Sequence, residues 1–324
     1  MNKENKVKIL IAYHKPSVLL KNELYIPIHV GRSVATQKSK DGLLTKKDYK
    51  WLMKNLVGDD TGENISLLNR YLCELTALYW AWKNYDKIGN PDYIGLMHYR
   101  RHLIFNAKDI KDFKKHRIFD CYKFADFRDL YGKNGCEELD DIYNLISKYD
   151  IIHAETIKHT QTVREQFAGL KRVPFCLNPK IFDNVIFRIK RDKPEYVPAM
   201  ELYLEQKQHY WFNCFIMSKE LFFEYADFVF DILLKEHEVI NYENYSVSAK
   251  RCLGFISERL LGIFITKKVI FDGKTIKHLP LAFIENTDKY QTLYFKKFLN
   301  KLKILINKIK RVNFLIKYIL VTLD

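Results

Sequence analysis

A short apolar segment that ends in a cluster of basic residues constrains this chain more than any other part of its sequence. Residues 93–97 are uncharged and typical of a buried strand, and they are followed by His98, Tyr99, Arg100, Arg101 and His102. Isolated charges are costly to bury, so these basic residues need a partner. In open α/β sheets, ligands bind just outside the carboxyl ends of the strands. Because arginine forms paired hydrogen bonds with phosphates and carboxylates, the segment predicts an anion site.

The orientation of the basic side chains follows from alternation along an extended strand. If the strand continues through residue 101, His98 and Arg100 share one face, and Tyr99 and Arg101 share the other. The alternative is a pair of arginines that is solvated or paired within the protein. The spacing alone leaves both interpretations open.

The composition is that of a large folded protein. Of 324 residues, 48% are hydrophobic and only 12 are Gly and 8 Pro, which predicts one large domain or about two. No two of the six cysteines lie within five residues of each other, so zinc-type spacing is absent. The charged first residues differ from a secretory signal, and no uncharged apolar run of about 18 residues predicts a membrane span. These features predict a cytoplasmic protein with reduced cysteines.

The positive charge is concentrated at the end of the sequence. The net charge is +15, and residues 286–324 contain nine Lys/Arg against two Asp. Apolar residues recur there at spacings of three and four, which predicts a basic amphipathic helix. Such a helix lies on anionic lipid, so we expect residues 290–324 to hold the protein at the inner face of the plasma membrane. The alternative is a helix packed on the protein's own core or on a partner helix.

This charge distribution divides the chain into a folded domain, 1–285, and a basic tail, 286–324. An anionic partner is expected from the charge. A nucleic-acid partner is not expected, because no known module and no basic face interleaved with aromatic residues is recognisable.

Predicted strands and helices alternate along the chain, which indicates an α/β fold. The expected strands are 7–13, 25–30, 93–99, 149–154, 209–217, 269–271 and 279–284. The expected helices are 67–85, 137–148, 201–208, 219–235 and 246–264, the first capped by Asn64 or Ser66 and the fourth by Ser218.

Acidic residues surround the predicted helix 67–85. The loop before it carries Asp59, Asp60, Glu63 and Asn64. A helix N-terminus can hold an anion, but acidic loops also serve only to cap and turn. Glu74 lies among apolar residues of the helix, where an unpaired carboxylate is unfavourable. Arg100 or Arg101 on the adjacent strand would pair with it.

A second carboxylate lies in the predicted helix 246–264. Gly254, Glu258 and Gly262 are four residues apart and share one face. The glycines leave room for another chain or for a substrate, and Glu258 in such a pocket would have a raised pKa and act as a general base. The alternative is a buried ion pair between Glu258 and an arginine that joins two helices. The histidines form no metal-ligand pattern.

Several sequence blocks, taken together and in order, resemble a known family. They are His14-Lys15, 25–31, 59–66, 73–84, 93–101, 211–217 and 254–261. The chain resembles the bacterial capsular and exopolysaccharide biosynthesis proteins, long known as a domain of unknown function and commonly described as glycosyltransferases. The resemblance covers about residues 7–285. It departs at 166–198, where relatives tend to have a His-rich acidic stretch.

The resemblance implies a GT-A-like α/β fold around a mainly parallel sheet. It implies transfer of a sugar, with galactose as pyranose or furanose expected, from a nucleotide-diphosphate donor such as a UDP-sugar. The acceptor would be a lipid-linked or oligosaccharide glycan in surface polysaccharide synthesis. In that fold, a helix followed by a strand that ends in an acidic dyad carries the metal site. Helix 67–85 and strand 93–99 resemble that unit. Basic residues stand in place of the dyad here, so a metal is left open, with His98 as the candidate ligand.

The resulting site assignment has three parts. The catalytic residues expected are Glu258, Arg100 and Arg101. The donor-binding residues expected are His14, Asp60, Asn64, Glu74, Thr76, His98 and Tyr99. Trp211 and Asn213 are expected on the acceptor side. The alternative function is a non-catalytic subunit that binds carbohydrate or nucleotide in a polysaccharide assembly complex.

Overall fold

The computed structural model describes residues 6–105 except 18 and 40, residues 120–122, residues 139–169 and residues 179–284. These residues form a mixed α/β fold with a central sheet and helices packed on it. The expected α/β class is therefore confirmed.

Ten described strands belong to one sheet, and two form a separate pair. In chain order they are β1 (Val7–Tyr13), β2 (Tyr25–His29), β3 (Val57–Gly58), β4 (Tyr93–His98), β5 (Arg101–Leu103), β6 (Asp120–Tyr122), β7 (Ile151–Ala154), β8 (Ile157–Lys158), β9 (Gln208–His209), β10 (Phe215–Ser218), β11 (Ile276–Leu279) and β12 (Leu281–Ile284). The main order is β11-β7-β10-β4-β1-β2-β3. Strands β5, β12 and β6 extend it beyond the end of β4, and β8 pairs with β9.

The sheet is mixed in direction. β1 is parallel to both β2 and β4, β2 is parallel to β3, and β7 is parallel to β11. β10 runs antiparallel between β4 and β7. The parallel pairing implied by the resemblance is thus found on both sides of β10, and β10 interrupts it.

In the described part of the chain, nine α-helices flank the strands. They are α1 (Lys46–Asn55), α2 (Asn69–Leu72), α3 (Leu75–Lys83), α4 (Leu139–Ile146), α5 (Val163–Gly169), α6 (Pro179–Asp192), α7 (Val197–Leu204), α8 (Lys219–Val239) and α9 (Cys252–Thr266). Ser218 caps α8 as predicted, since its side chain accepts a hydrogen bond from the backbone N–H of Leu221. No helix in the described part of the chain is long and apolar enough to cross a membrane.

Strand β1 shows how the two faces of the sheet are filled. Its β-branched residues favour an extended strand. Leu10 and Ala12 point into a core cluster built with α3, α6, α7, α8 and α9. Ile9 and Ile11 point into a second cluster, which α1 and α4 cover. A strand that is buried on both faces has a continuous apolar sequence. Each large apolar side chain buried in this way stabilises the fold by ~1.5–3 kcal/mol.

The prediction of one continuous helix over 67–85 is wrong. A 3₁₀ turn, Ser66–Leu68, leads into α2, and Cys73 then adopts a positive φ of 53° before α3 begins. The Asn69 amide donates to the Cys73 carbonyl at 2.7 Å and holds this break. Helix α9 passes so close that a Cβ on Gly254 would lie 2.8 Å from Cys73 Sγ. The break is set by this tertiary packing, which the apolar stripe does not reveal.

Other predicted elements are shifted or divided. The expected strand 209–217 is interrupted because Phe212 has a positive φ of 67°, so only β9 and β10 remain. The expected strand 269–271 is part of a π-helical turn, Lys267–Phe271, that continues α9. The last predicted strand, 279–284, is divided between β11 and β12. The expected helix 201–208 corresponds to α7, which ends at Leu204. The expected helix 246–264 begins later, with helical structure from residue 249.

Two predicted features lie outside the described residues. They are the amphipathic helix within 286–324 and part of the divergent segment 166–198, namely residues 170–178. The division into 1–285 and 286–324 therefore stays a prediction.

Candidate functional site

A cleft lies at the carboxyl ends of three parallel strands. His14 follows β1, His29 ends β2 and His98 ends β4, and all three line the cleft. The strand ends are level, since Tyr13 pairs with His29 and Ala12 with His98. This is the position at which open α/β sheets bind ligands.

The basic segment after β4 is a hairpin and not an extended strand. β4 stops at His98, which pairs directly with Arg101 of β5, so Tyr99 and Arg100 form the turn. Tyr99 is buried, and its ring stacks on Tyr13 with a centroid distance of 5.8 Å. The predicted separation of Arg100 and Arg101 onto opposite faces is therefore wrong. The chain reverses, and both arginines line the cleft.

The guanidinium groups of these two arginines contact rings. Arg100 lies 5.3 Å from the centre of the Tyr99 ring and 5.6 Å from that of Phe283, and Arg101 lies 4.7 Å from that of Phe212. Their Nε atoms are buried and have no hydrogen-bond partner among the described residues. No described carboxylate pairs with either group. Two guanidinium groups that line the cleft without a carboxylate partner favour the binding of an anion there.

Two further arginines line the same cleft and were missed in the sequence. Arg70 in α2 donates to the carbonyls of Val34 and Gln37 at 2.6 and 2.9 Å. Arg251 donates through Nε to Cys73 Sγ at 3.2 Å. Four arginines thus face two carboxylates, those of Asp41 and Glu74. This composition favours an anion over a divalent cation. Among the described residues, no group of three or more His, Cys, Asp or Glu is placed to hold a metal ion.

Two of the strand-end histidines, His29 and His98, are neutral at physiological pH. Burial, with the nearby Arg101, lowers the pKa of His98 well below its usual value. Burial, with Arg32 and His14, lowers the pKa of His29 to about 3. His14 lies 3.0 Å from Asp41. His29 and His98 therefore add no positive charge to that of the arginines.

A buried carboxylate organises the wall of the cleft that follows β2. Asp59 is fully buried and accepts hydrogen bonds from the backbone N–H groups of Gly31 and Arg32 and from the hydroxyls of Ser66 and Thr76. Gly31 has a φ of 65°, and any side chain there would collide with Asn69. Asp59 therefore ties the chain after β2 to the α2–α3 region.

Glu74 lies in the cleft wall at the α2–α3 break. The Asn213 side-chain amide donates to its Oε1 at 2.9 Å and to the Ser257 hydroxyl at 3.1 Å. The expected pairing of Glu74 with Arg100 or Arg101 is therefore not found. Asn213 donates to one carboxylate oxygen instead, because the turn before β10 brings it against α9.

Glu258 is paired inside the protein. It lies 2.7 Å from Arg259, which also donates to Gln166 of α5 at 2.8 Å. Burial raises the pKa of Glu258, and the charges of Arg259 and Arg101 oppose this. A buried ion pair is therefore present as in the alternative, but both partners lie on α9, and the link to a second helix is the bond from Arg259 to Gln166. The room beside Gly254 and Gly262 is filled by the protein's own Cys73 and Tyr203.

The predicted site residues thus divide by position. The residues that line the cleft are His14, Glu74, His98, Arg100 and Arg101. The remainder lie outside its lining. They are Thr76 in the Asp59 network, Asp60 and Asn64 in the loop between β3 and α2, Tyr99 in the hairpin turn with its ring stacked on Tyr13, Trp211 beside His159 and His209, Asn213 behind Glu74, and Glu258 on α9.

Comparison with known proteins gives the family. The model of a family described as a domain of unknown function, DUF4422, matches residues 8–269. The chain belongs to this family. Its fold is similar to the apo structure of WbbM, a bifunctional glycosyltransferase, with 30% identity and a TM-score of 0.70 over 87% of this chain. The match covers 46% of the WbbM chain, so this chain spans less than half the length of that protein. No curated protein matches.

Proposed function

We propose that this DUF4422 protein is a glycosyltransferase that binds the diphosphate of a nucleotide-sugar donor with Arg100 and Arg101. The observation that carries the proposal is the pair of cleft-lining guanidinium groups whose buried Nε atoms have no partner among the described residues. Arginine binds phosphate oxygens through paired hydrogen bonds. The likeness to WbbM supports glycosyl transfer, and the chemistry of the cleft supports it independently.

The chemistry of the reaction explains why arginines would be needed. Transfer breaks the bond between the anomeric carbon of the sugar and an oxygen of the diphosphate, on which negative charge develops. Donors that face this charge are often the largest contribution to catalysis. Arg100 and Arg101 would supply this stabilisation where a GT-A-like enzyme uses a metal held by an acidic dyad. The proposal is therefore transfer without a metal, and His98 becomes the candidate ligand if a metal is required.

The resemblance to polysaccharide biosynthesis proteins supports a more specific donor and acceptor. The proposed donor is a UDP-sugar, with galactose expected, and the proposed acceptor is a lipid-linked or oligosaccharide glycan of a capsule or exopolysaccharide. Residues 290–324 would hold the protein at the inner face of the plasma membrane through basic side chains. Co-sedimentation of full-length and 1–289 protein with anionic vesicles tests this contact, which is wrong if both sediment equally.

The central experiment compares donor binding and turnover in two arginine variants and a control. Wild-type protein is screened by thermal shift against a panel of nucleotide sugars, because a bound ligand stabilises the native state. Donor hydrolysis and transfer to octyl β-galactoside are then measured. R100M and R101M are each expected to lower turnover about 100-fold or more. R191M removes an arginine whose side chain is 53% exposed and paired with Asp192, and should behave as wild type.

The other outcomes have defined meanings. Wild-type protein that binds no nucleotide sugar contradicts the proposal. Binding without turnover against the whole panel indicates the non-catalytic subunit instead. Activity that disappears in EDTA and returns with manganese contradicts the metal-free mechanism.

A further inference from the structure

Two glutamates lie near Arg101, but they occupy different surroundings. Glu74 lines the cleft together with Arg100 and Arg101. Glu258 is not among the cleft-lining residues, and its carboxylate is paired with Arg259 at 2.7 Å. Glu74 is therefore the carboxylate that a molecule bound in the cleft would meet.

The hydrogen bonds around Glu74 leave one of its oxygens available. Oε1 accepts from the Asn213 amide at 2.9 Å. Among the described residues, none donates to Oε2. The Asn213 amide is itself fixed, since it also donates to the Ser257 hydroxyl, which donates to the carbonyl of Gly254 at 2.7 Å. Glu74 is thus held through one oxygen while the other can receive a proton.

The turn that carries Asn213 is under backbone strain. Phe212 has a φ of 67°, which is rare for a bulky residue and persists only when the surrounding structure imposes it. Its backbone N–H lies close enough to Glu258 to lower the pKa of that carboxyl. The strained residue presents its ring to Arg101 at 4.7 Å and directs Asn213 to Glu74. Glu258 therefore acts on the cleft through Phe212 and Asn213.

From this arrangement we infer that Glu74 is the general base that accepts the proton of the acceptor hydroxyl, and that Asn213 and Glu258 are positioning residues. The hydroxyl oxygen forms a bond to the anomeric carbon. The bond from that carbon to the diphosphate oxygen breaks, and its electron pair stays on the diphosphate beside Arg100 and Arg101. The hydroxyl proton moves to Glu74 Oε2. This inference rests on the proposed glycosyl transfer, and it gives Glu74 the role that helical spacing had suggested for Glu258.

The charged and titratable groups that face Glu74 come from several elements. They are Arg100 and Arg101 of the hairpin, His98 of β4, Cys73 at the helix break, Cys214 before β10, Tyr225 of α8, and Arg251 and Glu258 at α9.

The test compares E74Q with E258Q, and E195Q serves as a control at an exposed glutamate. Thermal shift with UDP reports donor binding, and transfer from the active UDP-sugar to octyl β-galactoside is measured across pH. E74Q should keep the UDP shift, lower kcat/KM for transfer about 100-fold or more, and lose the acid limb of the pH–rate profile. E258Q should also lower transfer but retain that limb, because its base is still present. E195Q should match wild type.

Failure of the inference is distinguishable from failure of the proposed function. If wild-type protein neither binds UDP nor transfers, the proposed function fails. If wild type transfers and E74Q is fully active, or if E258Q alone loses the acid limb, the inference is overturned. Should E74Q not fold, E74D decides the matter. It keeps a carboxylate with a shorter reach, so transfer must fall while the acid limb remains, and unchanged transfer overturns the assignment.

Discussion

Replacing Asp59 by asparagine is expected to weaken the protein at the wall of the cleft. The substitution keeps the shape of the side chain and removes its charge. Oδ1 of Asp59 accepts from the Arg32 N–H at 3.1 Å and the Ser66 hydroxyl at 2.6 Å. Oδ2 accepts from the Gly31 N–H and the Thr76 hydroxyl, each at 2.6 Å. Whichever oxygen becomes an NH₂ group therefore faces one backbone N–H and one hydroxyl.

The size of the effect follows from these partners. The hydroxyl can rotate and accept a hydrogen bond from the new NH₂ group, but the backbone N–H can only donate. One buried donor is left without a partner, at a cost of ~1–3 kcal/mol, and the remaining bonds lose the extra strength of a charged acceptor. We expect D59N to lower the free energy of unfolding by ~2–4 kcal/mol, a large part of the ~5–15 kcal/mol typical of a protein.

Urea unfolding measures this loss through the fluorescence of tryptophan, including Trp80, which is 2% exposed. D183N replaces an exposed aspartate and is the matched control, expected within about 0.5 kcal/mol of wild type. UDP should also bind D59N more weakly, since Gly31 and Ala35 line the cleft. The reasoning is refuted if D59N unfolds at the same urea concentration as wild type.

The remaining predictions concern pH and packing. Burial lowers the pKa of His29 to about 3 and of His102 and His153 to about 4, while the unfolded chain has values near about 6.5. Below that value the unfolded chain binds more protons, so stability should be full above pH ~6.5 and fall as the pH is lowered toward ~4. The urea midpoint of wild type should fall in this way as the pH is lowered, and that of His153→Gln should fall less steeply. Equal slopes in the two proteins would contradict the role of His153. G254A places a Cβ 2.8 Å from Cys73 Sγ and should destabilise by ~1–3 kcal/mol, with partial recovery in the C73A/G254A double variant. The packing argument fails if G254A melts at the wild-type temperature.

The parts of the fold that follow local patterns were predictable. Apolar, β-branched residues located β1 and β4, and Ser218 before an apolar stripe located the start of α8. The break at Cys73 and the turn at Phe212 were not predictable, because positive φ at a non-glycine residue depends on distant partners. Those partners, α9 at one site and Glu258 at the other, come from the last part of the described chain.

The candidate site divides in the same way. Arg100 and Arg101 could be identified because a buried strand with a basic end is readable from consecutive residues. The sequence did not reveal that both arginines line the same cleft, since it gives no turn signal at Tyr99. Arg70 and Arg251 lie far from the hairpin in the sequence, and only the packing of α2 against α9 brings both to the cleft. Asp59 was read as a loop residue, although the fold buries it completely.

The central position of β10 has a consequence for how the protein is assembled. Until β10 is made, one edge of β4 has no neighbour, and β7 has no described link to the N-terminal strands. About 115 residues separate β4 from β10, so a ribosome adding ~5–20 residues per second leaves that edge open for roughly 6–23 seconds. An unpaired apolar edge is a template for association with other chains. Nascent chains halted between β7 and β10 should therefore depend most on chaperones.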